Sequence, residues 1–306
     1  MDFAERLKIR ERYSHVRENE NGMILIDYMS TNFRRYDRAE WLNLIMQQKI
    51  SVNNITESDP QRRLKKHDRV SLFENLGPEP SANLSFSTVY EDEYLLVLDK
   101  PSDLCVHPTG NFYQHTLWYQ AGLKYGELFF IGRLDRETSG LIVAARSKEI
   151  AAGLKIDHKE YIVMVHGRFE KYIRAAGFLA PDTASSISKK RRFTYEYVEN
   201  SESVDTELFP LKISENGFST VKALLHTGRM HQIRATMFSL GFPVAGDKLY
   251  GVDEQLYNKI STQSFSEEDR RKLILPNQAL HCSGVEFMHP VSGKKLSFAS
   301  FPEWTL

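Results

Sequence analysis

Disulfide chemistry, a membrane span and a charge of one sign are all missing from this 306-residue chain. Two cysteines, Cys105 and Cys282, make no disulfide framework, and a reducing cytosol suits them best. No apolar run approaches the roughly 20 residues that cross a bilayer. The opening stretch MDFAERLKIRERYSH is charged throughout and lacks the apolar core of a secretory signal, so a cytoplasmic protein is expected. Lys+Arg and Asp+Glu number 40 each, which leaves no net charge. A nucleic-acid partner therefore has to be argued from local patches. His226, His231, His281, Cys282 and His289 fit no familiar zinc spacing, because His281 and Cys282 are adjacent and no second pair follows. The glycine-containing pieces HPTG (107–110) and GDKLYG (246–251) are too short for a phosphate loop and read as turns.

What is present suits an ordinary globular protein with a sizeable core: 41% hydrophobic and 26% charged residues. The length suggests one large domain and a small one. No internal repeat is visible. Residues 1–22 read as a polar arm, 23–76 as a compact α+β unit, 77–88 as a Pro- and Ser-containing linker, and 89–306 as the large domain. In the small unit, Ile24, Leu25, Tyr28 and Met29 recur at helical spacing. Asp37 with Glu40 three positions on has the pattern of a capping box, opening a second helix with the stripe Trp41, Leu44 and Ile45. A strand near Lys49–Val52 meets a turn at Asn53–Asn54, and Arg69–Phe73 supplies another strand.

From Val89 onward strand signals dominate: YLLVLDK (94–100), GLIVAAR (140–146), EYIVMVHG (160–167), RFTYEYV (192–198) and STVKALLH (219–226). Helical patterns fall near His115–Lys124, Lys148–Lys155 and Met230–Leu240. Strands and helices do not alternate regularly enough for a doubly wound sheet, so a mixed α+β domain is expected.

Three segments carry chemistry. In GRLDRETSG (132–140), Asp135 lies on a polar loop between two apolar runs, a common place for catalysis. Its blander reading is a turn closed by Thr138 or Ser139. In TGRMHQIR (227–234), a strand gives way to a helix, with Arg229 at the junction and His231 and Arg234 on one face. Such a helix start suits a carboxylate or phosphate partner, or else is a solvated basic face. In KEY (159–161), Tyr161 opens a strand. It either packs or stacks on a base.

Taken together, GRLDRETSGLIVAAR, KEYIVMVHG and TGRMHQIRATMFSLGFPVAGDKLYG resemble the RluA-type family of pseudouridine synthases. The flanking segments DEYLLVLDKPSDLCVHPTG and ALHCSGVEFMHPVSGKKLSF extend the resemblance over roughly 89–302, with the motifs in the family's order. The resemblance implies an α+β catalytic domain with a mixed, mainly antiparallel sheet and flanking helices. It also implies isomerisation of uridine to pseudouridine in structured RNA, with large-subunit rRNA the first expectation and tRNA the second. By the same resemblance Asp135 is the essential carboxylate and Arg229 its basic partner. Tyr161 lies against the base and would take the proton from its carbon 5. Arg133 fills the space that the base leaves, and Leu134, Thr138, His231, Gln232, Ile233 and Arg234 contribute to the substrate surface. One departure is clear: the family usually has His before the Arg-Leu-Asp triplet, and here that position is Gly132. The reaction breaks a glycosidic bond and makes a carbon–carbon bond without redox change or net hydrolysis, so no cofactor is implied. Asp135 could attack the sugar, attack the base or remove a sugar proton. A nearby Arg would keep it ionised.

Residues 24–75 resemble, more weakly, the ribosomal-protein S-four-like RNA-binding domain, through LIDYM, RAEWLNLIMQQKISVNN and RVSL. Arg34, Arg35 and Arg38 flank the second helix, and Arg62, Arg63, Lys65, Lys66 and Arg69 crowd eight positions. Such clusters neutralise phosphates. Even so, residues 14–80 hold ten basic and ten acidic side chains, and a solvated polar face is the alternative. A further run, Lys189, Lys190, Arg191 and Arg192, follows the flexible-looking APDTASSIS and is expected to form a mobile loop clasping RNA. A monomer is expected, since one chain carries every motif. Two rival readings remain: a non-catalytic RNA-binding ribosome-assembly factor, and a hydrolase needing a second carboxylate, for which Glu137 is nearest.

Overall fold

The computed structural model describes residues 7, 10–33, 35–74, 78–261 and 264–304. The chain forms two compact units, Met1–Glu79 and Pro80–Leu306.

The smaller unit is a four-stranded antiparallel sheet with two helices. Its elements are β1 (Arg10–His15), α1 (Leu25–Asn32), α2 (Arg38–Met46), β2 (Ile50–Val52), β3 (Ile55–Glu57) and β4 (Arg69–Glu74), in the order β1-β4-β2-β3. Asp37 caps α2 by accepting from the Glu40 amide, while the Glu40 carboxylate accepts from the Asp37 amide. The β2–β3 hairpin turns on Asn53 and Asn54, both left-handed (φ 53° and 66°). A two-residue hairpin turn requires that twist, and asparagine tolerates it. Leu25, Tyr28, Trp41, Ile45, Ile50 and Val70 bury the apolar faces together.

The expected arm over 1–22 needs correction. Residues 1–6, 8 and 9 lie outside the described residues, but Arg10–His15 is a sheet strand paired along its length with β4. Val16 and Glu20 behind it are buried. Alternation of long polar side chains hid this strand, since only its backbone and one face are used. Arg34 also lies outside the described residues.

The larger unit contains β5 (Ser87–Glu91), β6 (Leu95–Lys100), α3 (Leu117–Tyr125), β7 (Phe129–Phe130), β8 (Ser139–Ala145), α4 (Lys148–Gly153), β9 (Ile156–His166), β10 (Ile173–Pro181), β11 (Arg191–Thr194), β12 (Glu202–Ile213), β13 (Phe218–Leu225), α5 (Gln232–Ser239), α6 (Gln255–Ser261), α7 (Glu267–Leu273), β14 (Leu280–Met288) and β15 (Lys295–Ala299). One sheet runs β11-β10-β12-β13-β9-β14-β8-β6-β5, with β15 on β14 and β7 on β8. It is antiparallel except where β14 meets β8 in parallel, His281 opposite Ser139 and Cys282 opposite Gly140. The unit is therefore mixed α+β and mainly antiparallel. Gly140 makes the parallel contact possible: at φ +106° a Cβ would lie 2.3 Å from the Cys282 carbonyl oxygen. The core lies where α5 packs Ile233 and Met237 against Val163, Val165, Val221 and Ala223 of the sheet.

Two expected boundaries shift. Pro80–Phe86 belongs to the larger unit, where Ala82 and Phe86 pack under α3 and the Pro80 carbonyl lies 2.6 Å from His115 Nδ1. The strand expected over 192–198 ends at Thr194.

Candidate active site

Asp135 stands on the loop between β7 and β8, and that loop is tied at nearly every residue. The Asp135 carbonyl accepts from the Thr138 amide at 3.1 Å, so the blander turn reading is part of the geometry. The ammonium of Lys100, fully buried, donates to the carbonyls of Pro101 (2.8 Å), Leu104 (2.8 Å) and Arg136 (3.2 Å). Burial lowers its pKa to about 7. Three carbonyls for three N–H donors is nevertheless the arrangement of a charged lysine. Glu137 pairs with Lys248, Thr138 Oγ1 accepts from Gln278 at 2.6 Å, and Ser139 Oγ lies 2.9 Å from His281 Nδ1. The Asp135 carboxylate is thus presented on a rigid loop, with its side chain about a third exposed at 31%.

Its partner is Arg234 in the first turn of α5. Arg234 Nη1 donates to Asp135 Oδ2 at 2.6 Å. Its other edge grips Asp247 in a fork, Nε to Oδ2 at 2.6 Å and Nη2 to Oδ1 at 2.9 Å. Asp247 Oδ1 in turn accepts from the amides of Leu249 and Tyr250, each at 2.9 Å. A planar guanidinium with five donors suits such a bridge between two carboxylates. Burial alone would raise the Asp135 pKa, but the Arg234 charge and hydrogen bond outweigh it and hold the carboxyl below its usual value. Asp247 is depressed in the same way against the same burial, with the two amides adding to Arg234.

The pairing expected of Arg229 is therefore made by Arg234 instead. The backbone gives the reason. His231 adopts a left-handed conformation (φ 58°) and α5 starts only after it. The Gln232 side chain folds back to accept from the Arg229 amide at 2.9 Å and the Thr227 hydroxyl at 3.0 Å. Arg229 is thereby left in the turn at the mouth, its Nε 3.4 Å from the Ser203 carbonyl and 3.7 Å from Glu202. Arg234, one helical turn inward, reaches Asp135.

One cleft is lined by Asp135, Tyr161, Arg229, His231 and Arg234, with Arg133, Leu134 and Ile233 among its walls. Three distant stretches thus converge as expected. Tyr161 on β9 is only 6% exposed. Burial, with Cys282 beside it and Asp135 contributing, raises its pKa above the ordinary phenol value. Arg133 is exposed and carries no ion pair among the described residues. Other members of the expected substrate surface are already committed. Gln232, 3% exposed, also donates to Thr206 Oγ1 at 2.8 Å, Thr138 is held by Gln278, and Ile233 is largely core. Gly132, at φ +89°, leaves room that Lys159 uses, since a Cβ there would lie 3.0 Å from Lys159 Nζ.

The basic run at 189–192, expected as a mobile loop clasping RNA, is half loop and half strand, with Lys189 and Arg192 exposed and Lys190 buried. Lys190 is buried, 2.7 Å from Glu254 and over the Phe238 ring. Lys189 lies over the Tyr257 ring, and Arg191 and Arg192 begin β11. Arg192 alone in this run stays exposed with neither an ion pair nor a ring contact among the described residues. Aromatic and acidic residues far along the chain, Phe238, Glu254 and Tyr257, capture what composition alone makes look solvated.

In the smaller unit, taken by itself, Arg38 pairs with Asp27, Lys66 with Glu18, and Arg62 with Glu57 at 2.6 Å. Arg63 donates to the Gly22 carbonyl at 3.0 Å. Arg35 stacks on Tyr36 at 5.3 Å, and Arg69 bonds Glu11 at 2.6 Å. Lys65 makes no side-chain bond among the described residues.

Sequence reasoning missed Lys100, Asp247 and Tyr250. The last two stand in GDKLYG, read as a turn; it is a turn, and it also carries the acid that holds Arg234.

A family model, three relatives and one solved structure match this chain. The RNA pseudouridylate synthase family model matches residues 94–239. A ribosomal large subunit pseudouridine synthase D from Zymomonas mobilis is 30% identical over 268 residues, spanning 80% of this chain and 79% of that protein. The protein of that name from Buchnera aphidicola is 28% identical over 92% of both chains, and a tRNA pseudouridine(31) synthase from Saccharomyces cerevisiae is 33% identical over 75% of this chain and 67% of its own. The solved structure of human RNA pseudouridylate synthase domain containing 1 superposes with a TM-score of 0.54 at 21% identity, over 74% of this chain and 86% of that one, which shows a common fold.

Proposed function

Because the chain belongs to the RluA-type family of RNA pseudouridine synthases, isomerases acting on RNA, we propose that it converts uridine to pseudouridine in large-subunit rRNA, with Asp135 as the reacting carboxylate. Large-subunit rRNA is favoured over tRNA by the relatives named for it, which align over 92% and 80% of this chain against 75% for the tRNA synthase. The observation that carries the assignment is the Asp135–Arg234–Asp247 chain: an ionised, accessible carboxylate fixed from behind by a buried guanidinium, in one cleft with Tyr161.

The target uridine leaves its stack, which takes about a few kcal/mol, and enters the cleft. Arg133, exposed and without an acidic partner among the described residues, takes the vacated space. The uracil lies on Tyr161. The bond from the sugar to N1 breaks beside Asp135, the ring turns, carbon 5 bonds to the same sugar carbon and gives up its proton to solvent, and N1 takes up a proton. Arg234 keeps Asp135 charged and orients it, and its second carboxylate, Asp247, holds the guanidinium still. Tyr161 keeps its own proton at neutral pH, so it offers a stacking face and an oxygen lone pair rather than a phenolate. Arg229, at the mouth, meets the RNA backbone. The smaller unit serves as an RNA-binding module of the S-four-like kind, with Lys65 and its neighbours on phosphate. A hydrolytic reading loses support because Glu137, its nearest second carboxylate, is engaged by Lys248.

The test is to incubate wild type and Asp135→Asn with RNA tritiated at uracil carbon 5. Label release and pseudouridine in the wild type, absent in a variant that still binds RNA, is the expected result. Binding without turnover would instead indicate an assembly factor, and free uracil a hydrolase.

A further inference from the structure

A histidine donor faces the cleft with nothing to bond. His231 Nε2 lies 4.0 Å from Asp135 Oδ2, too far for a hydrogen bond, and has no other partner among the described residues. Its other nitrogen, Nδ1, lies 3.0 Å from the hydroxyl of Tyr250, and the two rings meet edge to face at 5.5 Å. Tyr250 is fully buried, and its oxygen already accepts from the Arg191 amide at 3.0 Å. A phenol has one proton to give. Were His231 to donate from Nδ1, that phenolic proton would be buried with no acceptor. Such a group costs about 1–3 kcal/mol. Given to Nδ1 instead, both Nδ1 and the buried hydroxyl are satisfied, and the imidazole proton sits on Nε2.

On the reading that Asp135 is the reacting carboxylate, we propose that Tyr250 is a positioning residue. By holding Nδ1 it fixes His231 as a neutral ring whose Nε2–H is offered to an oxygen of the target nucleotide beside Asp135. Neutrality matters here, because Arg234 already pairs with Asp135. A second cation would bind the carboxylate further and blunt it as a reacting group. The groups facing the imidazole are Asp135 from the β7–β8 loop, Arg234 from α5, Asp247 and Tyr250 from the following turn, and Lys189 just before β11. Burial, reinforced by Arg234, lowers the His231 pKa to about 4. Burial likewise raises Tyr250 to about 12, so the phenol keeps the proton it must donate. One turn positions both side chains beside Asp135, Arg234 and His231: Asp247 grips Arg234 through its carboxylate and accepts the Tyr250 amide.

The experiment joins histidine side-chain nitrogen NMR to kinetics on the full chain. Wild-type His231 should show the neutral Nε2–H tautomer from about pH 5 to 8. Tyr250→Phe should lose that single tautomer, lower kcat about ten- to a hundredfold with KM for RNA within about twofold, and move the acid limb of kcat to higher pH. His231→Gln, which keeps an amide donor near the Nε2 position, should retain at least about tenfold more kcat than His231→Leu. This pair decides the matter if Tyr250→Phe does not fold. An Nδ1–H tautomer or a charged ring at neutral pH overturns the proposal, as does unchanged kcat in a folded Tyr250→Phe or equal rates for the two His231 variants. A wild type that isomerises no RNA would instead sink the Asp135 reading, while the tautomer measurement would still judge Tyr250.

Discussion

Arg234 in the larger unit and Arg62 in the smaller one each donate to a carboxylate at 2.6 Å, yet the two contacts do different things. Arg62 and Glu57 are five residues apart, with side chains 32% and 14% exposed, and Arg62 has this one carboxylate partner among the described residues. Their bond closes a local turn, and water can replace it. Arg234 joins residues 99 and 13 positions away and is buried with Asp247 behind it. Asp135 stays about a third exposed, but the guanidinium and Asp247 behind it are buried, so the bridge fixes geometry as well as charge. Equal distances therefore say little. Burial and the number of partners on each guanidinium decide whether a pair defines a site or merely decorates a surface.

Breaking the buried side of that contrast should have the largest effects. Asp135→Asn keeps the shape and removes the charge, and kcat should fall by about 10⁴-fold or more while RNA affinity persists. A loss under about tenfold in a tritium-release assay would remove Asp135 from the chemistry. Arg234→Met leaves two carboxylates facing each other without a cation. Denaturant unfolding should show a loss of about 3–5 kcal/mol, and a loss under about 1 kcal/mol would mean that the buried bridge is no stronger than a surface pair.

A smaller effect follows from pH. The folded pKa of Asp247 lies below its ordinary 3.8. Below that ordinary value the unfolded chain takes up the proton first, so the contribution of Asp247 is complete above about pH 3.8 and is lost as pH falls through the lower folded value. Each pH unit between the folded and unfolded values is worth about 1.4 kcal/mol. Asp247→Asn should flatten that part of the acid limb of a stability–pH curve, and an unchanged limb would contradict the assignment. Smallest of all, Arg62→Ala should change stability by about 0–1 kcal/mol and reduce the salt slope of RNA binding by about one if Arg62 trades Glu57 for a phosphate. A slope unchanged in Arg62→Ala and Lys65→Ala alike would take that surface out of RNA binding.

Local chemistry was readable from the chain. The Asp37–Glu40 box and the Asn53–Asn54 turn are decided by residues a few positions apart, and both form as their spacing predicts. The convergence of Asp135, Tyr161 and Arg229 on one cleft was legible only through the set of motifs taken together. Which arginine bonds Asp135 was not, because the choice between Arg229 and Arg234 turns on a left-handed His231 and a folded-back Gln232, and neither leaves a periodic trace. Asp247 looked like a turn residue because in backbone terms it is one. Lys190 looked solvated because its partners, Glu254 and Phe238, are more than 40 residues further on. Arg10–His15 read as an arm because an edge strand needs little apolar sequence when its partner strand supplies the core.

The seam at Gly140 also sets a timetable. Ser139 bonds His281 across 142 residues of chain, and β8 meets β14 nowhere else than beside that pair. Until β14 emerges from the ribosome, the reactive loop has one flank open and its glycine hinge has no strand to abut. Loop closure over such a span comes late in folding, so the working pocket would be completed only after the local hairpins around it have formed.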